Sequence, residues 1–377
     1  MSKPARTMRW NPYVLRDDGN FDAFWREHLK AGTRKLLFVV GRGFDLRADA
    51  APTRIAALGG ATRHAWVLNY QNGQPDSELR LQRIAANVKH FEEIFGTNLA
   101  PIDIRMGSGG NSNTTSRNTK TAVSRSDELA TYTDVIVDIS AMPRTVALTA
   151  IAQLIALLDE LAKAGTASVN LHVVVAESVD VDRRHTGGSL SDVVTSLVGF
   201  SGQLTAESSA NLPRVWFPVL GEGQLPRLER IRTEVDPDEI CPVLPFPSRD
   251  PRRGDSLIEE YRAFLFDDFR VEPSNIIYAS EYNPFEAYRQ LYGAIDRYRD
   301  ALRELGGCKV FVSPLSSKLL SVGALLACYD HKSQSGGTDP VNVGIPYLES
   351  VTYGDPKDTA GTPTALYSLW LRGEWEQ

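Results

Sequence analysis

Cysteine and histidine are scarce in this sequence, and neither residue is arranged as in a metal-binding motif. The chain of 377 residues contains three cysteines and six histidines. Cys241, Cys308 and Cys328 lie far apart and lack the paired spacing of a disulfide framework or a zinc site. No HxH or HxxxH pair occurs, and His172 lies within an apolar strand pattern that is typical of a core histidine. We therefore predict no metal site and a reduced, cytoplasmic environment.

The sequence also lacks an excess of basic residues, a signal-peptide pattern and a long uninterrupted apolar run. A net charge of −6 argues against a surface that coats nucleic acid, although a local basic pocket is compatible with it. The first twenty residues contain no apolar segment, so we expect no signal peptide. The longest apolar helix pattern follows Arg144, and Thr, Gln and Asp interrupt it before it reaches the roughly 18 apolar residues of a membrane span. We predict no membrane contact.

Two segments of the chain share one pattern of a strand, a polar loop and a helix. They are Val135–Leu161 and Lys309–His331. Each begins with a β-branched run, continues with a short loop that contains Pro and one cation, and ends in a long apolar helix. A strand that ends in a polar loop before a helix presents free backbone N–H groups, and these can hold an anion. The repetition predicts two α/β lobes that contact one phosphate-bearing ligand between them.

Buried β-branched strands alternate with helical patterns along most of the chain. This alternation predicts an α/β fold with two doubly wound, mostly parallel Rossmann-like lobes. The order and spacing of the elements are similar in both lobes, which an internal duplication would explain; two unrelated doubly wound domains would share the same rhythm. We predict the following division: an N-terminal extension (residues 1–34), lobe one (35–180), a linker with a weak helical segment (181–212), lobe two (213–354) and a C-terminal tail (355–377).

Two segments, a polar one in lobe one and the C-terminal tail, each allow two interpretations. Gly107–Ser126 is rich in Gly, Ser, Thr and Asn, which is typical of a mobile surface loop and compatible with a lid over a ligand. The tail ends in LYSLWLRGEWEQ, which is either a closing strand or a contact with a partner.

Ligands of doubly wound sheets bind beyond the carboxyl ends of the strands, so the loops at these ends carry the candidate site. Glycines allow a close approach of the backbone, Arg and Lys neutralise phosphate, and hydroxyl groups orient it. An acid and an amide after a strand are placed to bind ribose or base. The predicted ligand-binding residues are Gly41, Arg42, Gly43, Asp45, Arg47, Asp138, Ser140, Arg144, Glu281, Asn283, Ser313, Ser316, Ser317 and Lys318.

Purely structural roles are open for several of these residues. Asp45 and Arg47 would pair within a tight turn, and Asn283 would cap a helix in an Asx-Pro turn. Capping by Asp138 or Ser140 explains the second loop, but it does not explain Arg144, because a cation in the first turn opposes the helix dipole by roughly 0.3–1 kcal/mol. The same argument applies to Lys318.

The strand, Ser-Ser-Lys loop and helix of lobe two resemble the ligand loop of CRISPR-associated Rossmann-fold (CARF) sensor domains. The resemblance rests on Ser316, Ser317, Lys318 and the following LLSVGALLA, with Gly41–Asp45 as the first-strand loop. The usual Gly-Gly-Thr before the lysine is Leu-Ser-Ser here. The resemblance implies binding of a cyclic oligonucleotide across a pair of domains, which two lobes in one chain would mimic, and membership of a prokaryotic defence locus.

A second resemblance points to an enzyme. VVGRGFDLRA is similar to the first motif of carboxyl-directed S-adenosylmethionine methyltransferases, G-x-G-x-D-x-R, at Gly41, Gly43, Asp45 and Arg47. The second strand lacks the acid that normally holds the cofactor ribose.

The leading hypothesis is a cytoplasmic protein that binds a nucleotide or another anionic ligand without hydrolysing it, as a sensor or scaffold. We assign no cofactor beyond this nucleotide ligand, and no catalytic residue. A methyltransferase or nucleotide-processing enzyme is the second hypothesis. A structural subunit of a larger complex, with a protein partner or a second copy of the chain, is the third.

Overall fold

The computed structural model of the chain comprises two structural units. Lobe one comprises residues 13–190 and 350–377, and lobe two comprises residues 1–12 and 191–349. The structure describes residues 7–30, 33–71, 73, 75–107, 113–178, 181, 188–202, 211–333, 342–350, 354 and 364–376.

Lobe one contains a seven-stranded sheet. Its strands are β1 (Val14–Arg16), β2 (Lys35–Gly41), β3 (Thr62–Gln71), β4 (Leu99–Arg105), β5 (Asp134–Asp138), β6 (Asn170–Glu177) and β14 (Ala365–Arg372). Its helices are α1 (Asp18–Leu29), α2 (Ala50–Leu58), α3 (Glu78–Phe95), α4 (Thr114–Val123), α5 (Ser126–Leu129) and α6 (Arg144–Lys163), and a 3₁₀ turn covers Glu374–Glu376. The parallel strands follow the order β4-β3-β2-β5-β6, which is the order of a doubly wound sheet.

The central strands of lobe one are buried along nearly their whole length, as expected for parallel strands covered by helices on both faces. Alternate residues of β2, among them Phe38, pack with Phe21 and Trp25 of α1 and with Phe91 of α3. The predicted strands of this lobe are thereby confirmed, because continuous β-branched runs can be buried only inside such a layered sheet.

Helix α6 is long and apolar enough to cross a membrane by length and composition, but most of it is buried within the lobe. It packs against α4, where Ser116 Oγ and Thr149 Oγ1 are 2.8 Å apart. The interpretation of Gly107–Ser126 as a mobile loop or lid is wrong for residues 114–123, which form α4. Its low apolar content is compatible with burial because Thr and Ser hydroxyls bond within the helix pair. Residues 108–112 lie outside the described residues.

Both ends of the chain contribute to the lobe one sheet. Strand β14 pairs antiparallel with β6 on one side and with β1 on the other. The predicted N-terminal extension therefore contains β1 and α1, and the predicted tail is a closing strand, not a free partner-binding segment. Strands β6 and β14 lie nearly 190 residues apart in sequence, so no local sequence pattern predicts that they pair.

Lobe two contains a second seven-stranded sheet. Its strands are β7 (Thr195–Ser201), β8 (Arg214–Val219), β9 (Glu239–Ile240), β10 (Val243–Pro245), β11 (Ile277–Ala279), β12 (Lys309–Pro314) and β13 (Asn342–Tyr347). Its α-helices are α7 (Leu225–Val235), α8 (Arg253–Glu260), α9 (Pro284–Ala301) and α10 (Lys318–Ser333). A π-helical turn covers Ala263–Asp268, and 3₁₀ turns cover Pro273–Asn275 and Arg303–Leu305.

The two lobes share one strand order. The parallel strands of lobe two are arranged β11-β10-β8-β12-β13. The two-residue strand β9 pairs parallel with β8, and β7 pairs antiparallel with β13. The first parallel strand is central in each lobe, and the last carries an antiparallel neighbour. The predicted α/β fold with two doubly wound lobes is confirmed, whereas the internal duplication stays a prediction. The prediction of a weak helical segment in the linker (181–212) is wrong, because strand β7 lies there.

A close crossing of α9 and α10 in lobe two yields a test of this fold. A Cβ added at Gly323 of α10 would collide with the carbonyl oxygen of Pro284 and lie 2.9 Å from Ala287 Cβ. We predict that Gly323→Ala lowers the free energy of unfolding by about 1–3 kcal/mol, because rigid backbone must move apart. The measurement is denaturant unfolding followed by circular dichroism.

Gly293→Ala is the matched control. Gly293 lies inside α9, and the nearest atom to its added Cβ is Arg297 Nη1 at 3.6 Å. This change should be neutral or stabilise by up to about 1 kcal/mol, because Ala has the higher helix propensity. Equal stability of the two variants would contradict the described crossing.

Candidate functional site

The strand order defines where a ligand crevice can form in each lobe. Successive strands are added to one side of β2 and then to its other side, beginning with β5, and the same reversal of strand order occurs between β8 and β12 in lobe two. The loops at the carboxyl ends of these strands flank the crevice. The sequence-predicted residues lie at the carboxyl ends of β2, β5 and β12, in the loops after β2, β5, β11 and β12, and at the first positions of α6 and α10. Their side chains have markedly different environments.

The glycines at and after the end of β2, Gly41 and Gly43, are surrounded by protein. A Cβ at Gly41 would collide with the Tyr70 hydroxyl and lie 3.2 Å from Met142 Cγ, and one at Gly43 would lie 2.9 Å from the carbonyl oxygen of Ala141. These glycines allow the loop after β2 to lie against the loop after β5. The close approach predicted from sequence is present, and its described partner is the neighbouring loop.

The charged residues of the first loop divide into a buried pair and an exposed arginine. The guanidinium of Arg47 donates to both carboxylate oxygens of Asp45, at 2.8–3.2 Å, and to the carbonyl oxygen of Ala176. This is the structural Asp–Arg pair that the sequence left open. Arg42 is exposed and donates to Asn69 Oδ1 at 2.8 Å.

The loop after β5 forms a turn that its own buried side chains hold. Asp138 Oδ1 accepts a hydrogen bond from the backbone N–H of Ser140, and Ser140 Oγ accepts one from the N–H of Ala176. The expectation that Asp138 or Ser140 caps the helix is wrong, because Pro143 is the N-cap of α6 and provides no side-chain acceptor. Arg144 is the first residue of α6 and is half-buried.

The loop after β12 combines a core serine with a capping serine. Ser313 Oγ accepts from the indole N–H of Trp216 at 2.9 Å inside the sheet. Ser316 is buried, and Ser317 Oγ accepts from the backbone N–H of Leu320 in the first turn of α10. Lys318 is the first residue of α10 and is half-buried. It therefore occupies the position in lobe two that Arg144 occupies in lobe one.

Asn283 has the capping role that the sequence left open as an alternative. Its side-chain oxygen accepts from the backbone N–H of Phe285, and it is the N-cap of α9. The side chain is thereby oriented toward the helix start.

A buried ionic cluster at the carboxyl edge of lobe two was not predicted. Arg253 donates from Nε and Nη2 to the two carboxylate oxygens of Glu222, both at 2.8 Å, and its Nη1 lies 3.1 Å from Glu281 Oε1. Burial disfavours the guanidinium charge, but the bonds to Glu222 and the charge of Glu281 outweigh burial and raise the pKa of Arg253. Glu281 is therefore engaged with protein. The sequence signal was weak, since PSRDPRRGD reads as a polar turn.

The two edges consequently differ in charge. In lobe one, the switch point carries Arg42, Arg144 and the buried carboxylate of Asp138, and the nearby Asp45 is paired to Arg47. In lobe two, Arg253 is balanced by two carboxylates, and Lys318 stands at the helix start. The lobe one edge thus offers cationic side chains beside a helix N-terminus, an arrangement that binds phosphate or carboxylate groups.

No protein-family profile matches this chain, and no curated protein sequence matches it significantly. The CARF and methyltransferase resemblances therefore stay predictions.

The Glu222–Arg253–Glu281 cluster leads to a stability prediction. We expect Arg253→Met to lower the free energy of unfolding by about 3–5 kcal/mol, because it leaves the buried carboxylate of Glu281 without its cation. Adding Glu222→Gln and Glu281→Gln to Arg253→Met should recover part of this loss by removing the uncompensated charges. Denaturant unfolding measures both variants.

Arg54→Met is the control for this test, because Arg54 pairs with Asp22 at the surface of lobe one. Its cost should stay below about 1 kcal/mol. A cost for Arg253→Met no larger than that of Arg54→Met would show that the buried cluster does not contribute as described.

Proposed function

We propose that this protein binds a nucleotide or another phosphate-bearing ligand without hydrolysing it. The observation that carries the proposal is the equivalent placement of Arg144 and Lys318. Each is the first residue of the helix that follows the fourth parallel strand of its lobe, beside the switch point of the sheet. Doubly wound proteins bind their ligands at this position.

The charge of these two residues supports an anionic ligand. The first turn of a helix favours acidic side chains, and a cation there costs roughly 0.3–1 kcal/mol. Neither α6 nor α10 contains an acidic residue in its first turn. A bound phosphate would interact favourably with the helix N-terminus and with the cation together, which turns an unfavourable arrangement into a favourable one.

Lobe one is the stronger candidate for the principal phosphate contact. Arg42 is exposed at the end of β2, and Pro143 leaves the start of α6 without a side-chain cap. A guanidinium binds two phosphate oxygens with well-defined geometry, whereas an ammonium acts as a point charge. In this proposal Arg144 and Arg42 orient the phosphate, and Lys318 adds charge in lobe two.

Glu281 and Asn283, which the sequence predicts to bind ribose or base, have structural roles in this proposal. Glu281 holds Arg253 in place, and Asn283 starts α9. Both therefore shape the lobe two edge through protein contacts. Base recognition would then depend on backbone groups of the loops.

The wider biological role follows from the CARF resemblance and is part of the proposal. A cytoplasmic sensor or subunit of a prokaryotic defence system would bind a signalling nucleotide and pass the signal to a partner protein. No specific observation favours the methyltransferase alternative, since Asp45 and Arg47 of its motif bind each other. The hypothesis of a structural subunit relied on the C-terminal tail as a partner contact, but residues 365–372 of this tail form β14 inside the lobe one sheet.

Isothermal titration calorimetry with cyclic and linear nucleotides tests the proposal. For a nucleotide that binds the parent protein, we expect Arg144→Ala and Lys318→Ala each to weaken binding by about 10- to 100-fold, because each removes a charge-assisted contact of about 1.5–3 kcal/mol. Lys163→Ala is the matched control, because Lys163 is exposed at the opposite end of α6. Circular dichroism verifies that every variant is folded.

The stoichiometry decides whether one ligand uses both lobes. One nucleotide per chain, with affinity lost in both single variants, supports the shared ligand predicted from sequence. Two independent sites, each affected by one substitution, support separate binding in each lobe. Binding that is unchanged in the Arg144→Ala, Lys318→Ala double variant, or absent for all nucleotides, overturns the proposal.

A further inference from the structure

Three potential metal ligands from distant parts of the sequence meet at the amino edge of the lobe one sheet. His28 lies in the last turn of α1, Asp134 begins β5, and His172 lies in β6. One donor atom from each side chain lies within 4.8 Å of the other two. All three side chains are buried, and His172 and Asp134 are fully enclosed.

The two carboxylate oxygens of Asp134 have different contacts. Oδ2 accepts a hydrogen bond from Thr133 Oγ1 at 2.6 Å, which orients the group. Oδ1 faces both imidazoles, at 2.7 Å from His28 Nε2 and 3.4 Å from His172 Nε2. A carboxylate oxygen and two imidazole nitrogens thus converge on one point, as they do around a transition-metal ion.

His172 is the least satisfied of the three residues. Neither of its ring nitrogens makes a hydrogen bond to any described residue, although the side chain has no exposed surface. The rings of Trp25 and Trp370 lie 4.9 and 5.0 Å from the imidazole. A buried imidazole without a well-formed hydrogen bond is costly, and a metal ion between His172 Nε2 and Asp134 Oδ1 would satisfy both atoms.

The surrounding charges are compatible with a divalent cation. Arg34 Nη1 lies 3.3–3.4 Å from the two oxygens of Asp134, but the same guanidinium forms two bonds to Glu374 at 2.9–3.0 Å. The carboxylates of Asp134 and Glu374 therefore exceed Arg34 by one negative charge.

We propose that His28, Asp134 and His172 bind a divalent transition-metal ion, with Zn²⁺ as the first candidate. Imidazole and carboxylate donors suit Zn²⁺, with bonds of about 2.0–2.2 Å, so the donor atoms around one ion are roughly 3.3 Å apart. The distance of 3.4 Å between His172 Nε2 and Asp134 Oδ1 already matches this value. The distance of 2.7 Å between His28 Nε2 and Asp134 Oδ1 must increase by less than an ångström. The ion would join α1 to β5 and β6 in a structural role, with a water molecule as the fourth ligand of a tetrahedral site.

Metal analysis of tag-free protein tests this proposal directly. The full chain is dialysed against EDTA, reloaded with Zn²⁺ and desalted, and the metal is measured by mass spectrometry. We expect about one Zn²⁺ per chain and a melting temperature raised by several degrees, since the ion binds only the folded lobe. Co²⁺ in place of Zn²⁺ should give visible absorption bands of a tetrahedral or five-coordinate site.

Substitutions assign the ion to these residues. His172→Phe keeps an aromatic ring and should abolish the absorption bands and the thermal shift. Thr133→Val removes the hydroxyl that orients Asp134 and should weaken Zn²⁺ binding about 10- to 100-fold. His90→Gln is the control, because His90 contacts Asp49 at 2.5 Å on the surface of the same lobe. It should bind Zn²⁺ like the parent.

A measurement on the parent protein keeps the test decisive if a variant does not fold. Imidazole ¹⁵N chemical shifts of His28 and His172 should move on addition of Zn²⁺, while those of His90 should not. Less than about a tenth of an equivalent of bound metal, or unchanged shifts, would overturn the proposal and assign the three residues to a purely hydrogen-bonded triad. Equal Zn²⁺ binding by folded His172→Phe would overturn it as well.

Discussion

In each lobe, the loop after the first parallel strand lies so close to the loop after the fourth that only glycine fits at the contact. A Cβ at Gly43 would lie 2.9 Å from the carbonyl oxygen of Ala141, and one at Gly221 would lie 2.5 Å from that of Leu315. Side chains do not tolerate such distances to rigid backbone. α6 and α10 begin directly after these contacting loops, so Arg144 and Lys318 lie at equivalent points of the two sheets.

Local patterns were sufficient for the parts of the fold that depend on local sequence. Continuous β-branched runs predicted the buried parallel strands, because such runs need a cover on both faces. The cations after β5 and β12 were predicted at helix starts, where they are found. The same patterns could not tell what fills the space beside a glycine. Gly41 and Gly43 were expected to approach a ligand, yet the described neighbour is another loop of the protein.

Structural features that depend on partners far away in the sequence were not predicted from it. Strand β14 belongs to lobe one because it pairs with β6, and strand β7 was read as weakly helical because its partner β13 lies far along the chain. Helix α4 has a loop-like composition, but its hydroxyls are satisfied inside the pair with α6. Arg253 was overlooked in a polar turn, because only the fold brings Glu222 and Glu281 to it.

The spacing of histidines in sequence is a poor guide to a metal site when the ligands come from a helix and two strands. His28, Asp134 and His172 share no motif, and parallel pairing of β5 with β6 brings the last two together. Strand β5 then has a buried carboxylate at each end, Asp134 and Asp138, roughly 13 Å apart at about 3.3 Å per residue. The antiparallel strand β14 and helix α1 cover the amino end of this region with aromatic rings. The carboxyl end opens onto the switch point, so a structural ion and an anionic ligand would occupy opposite ends of the same strand without competing.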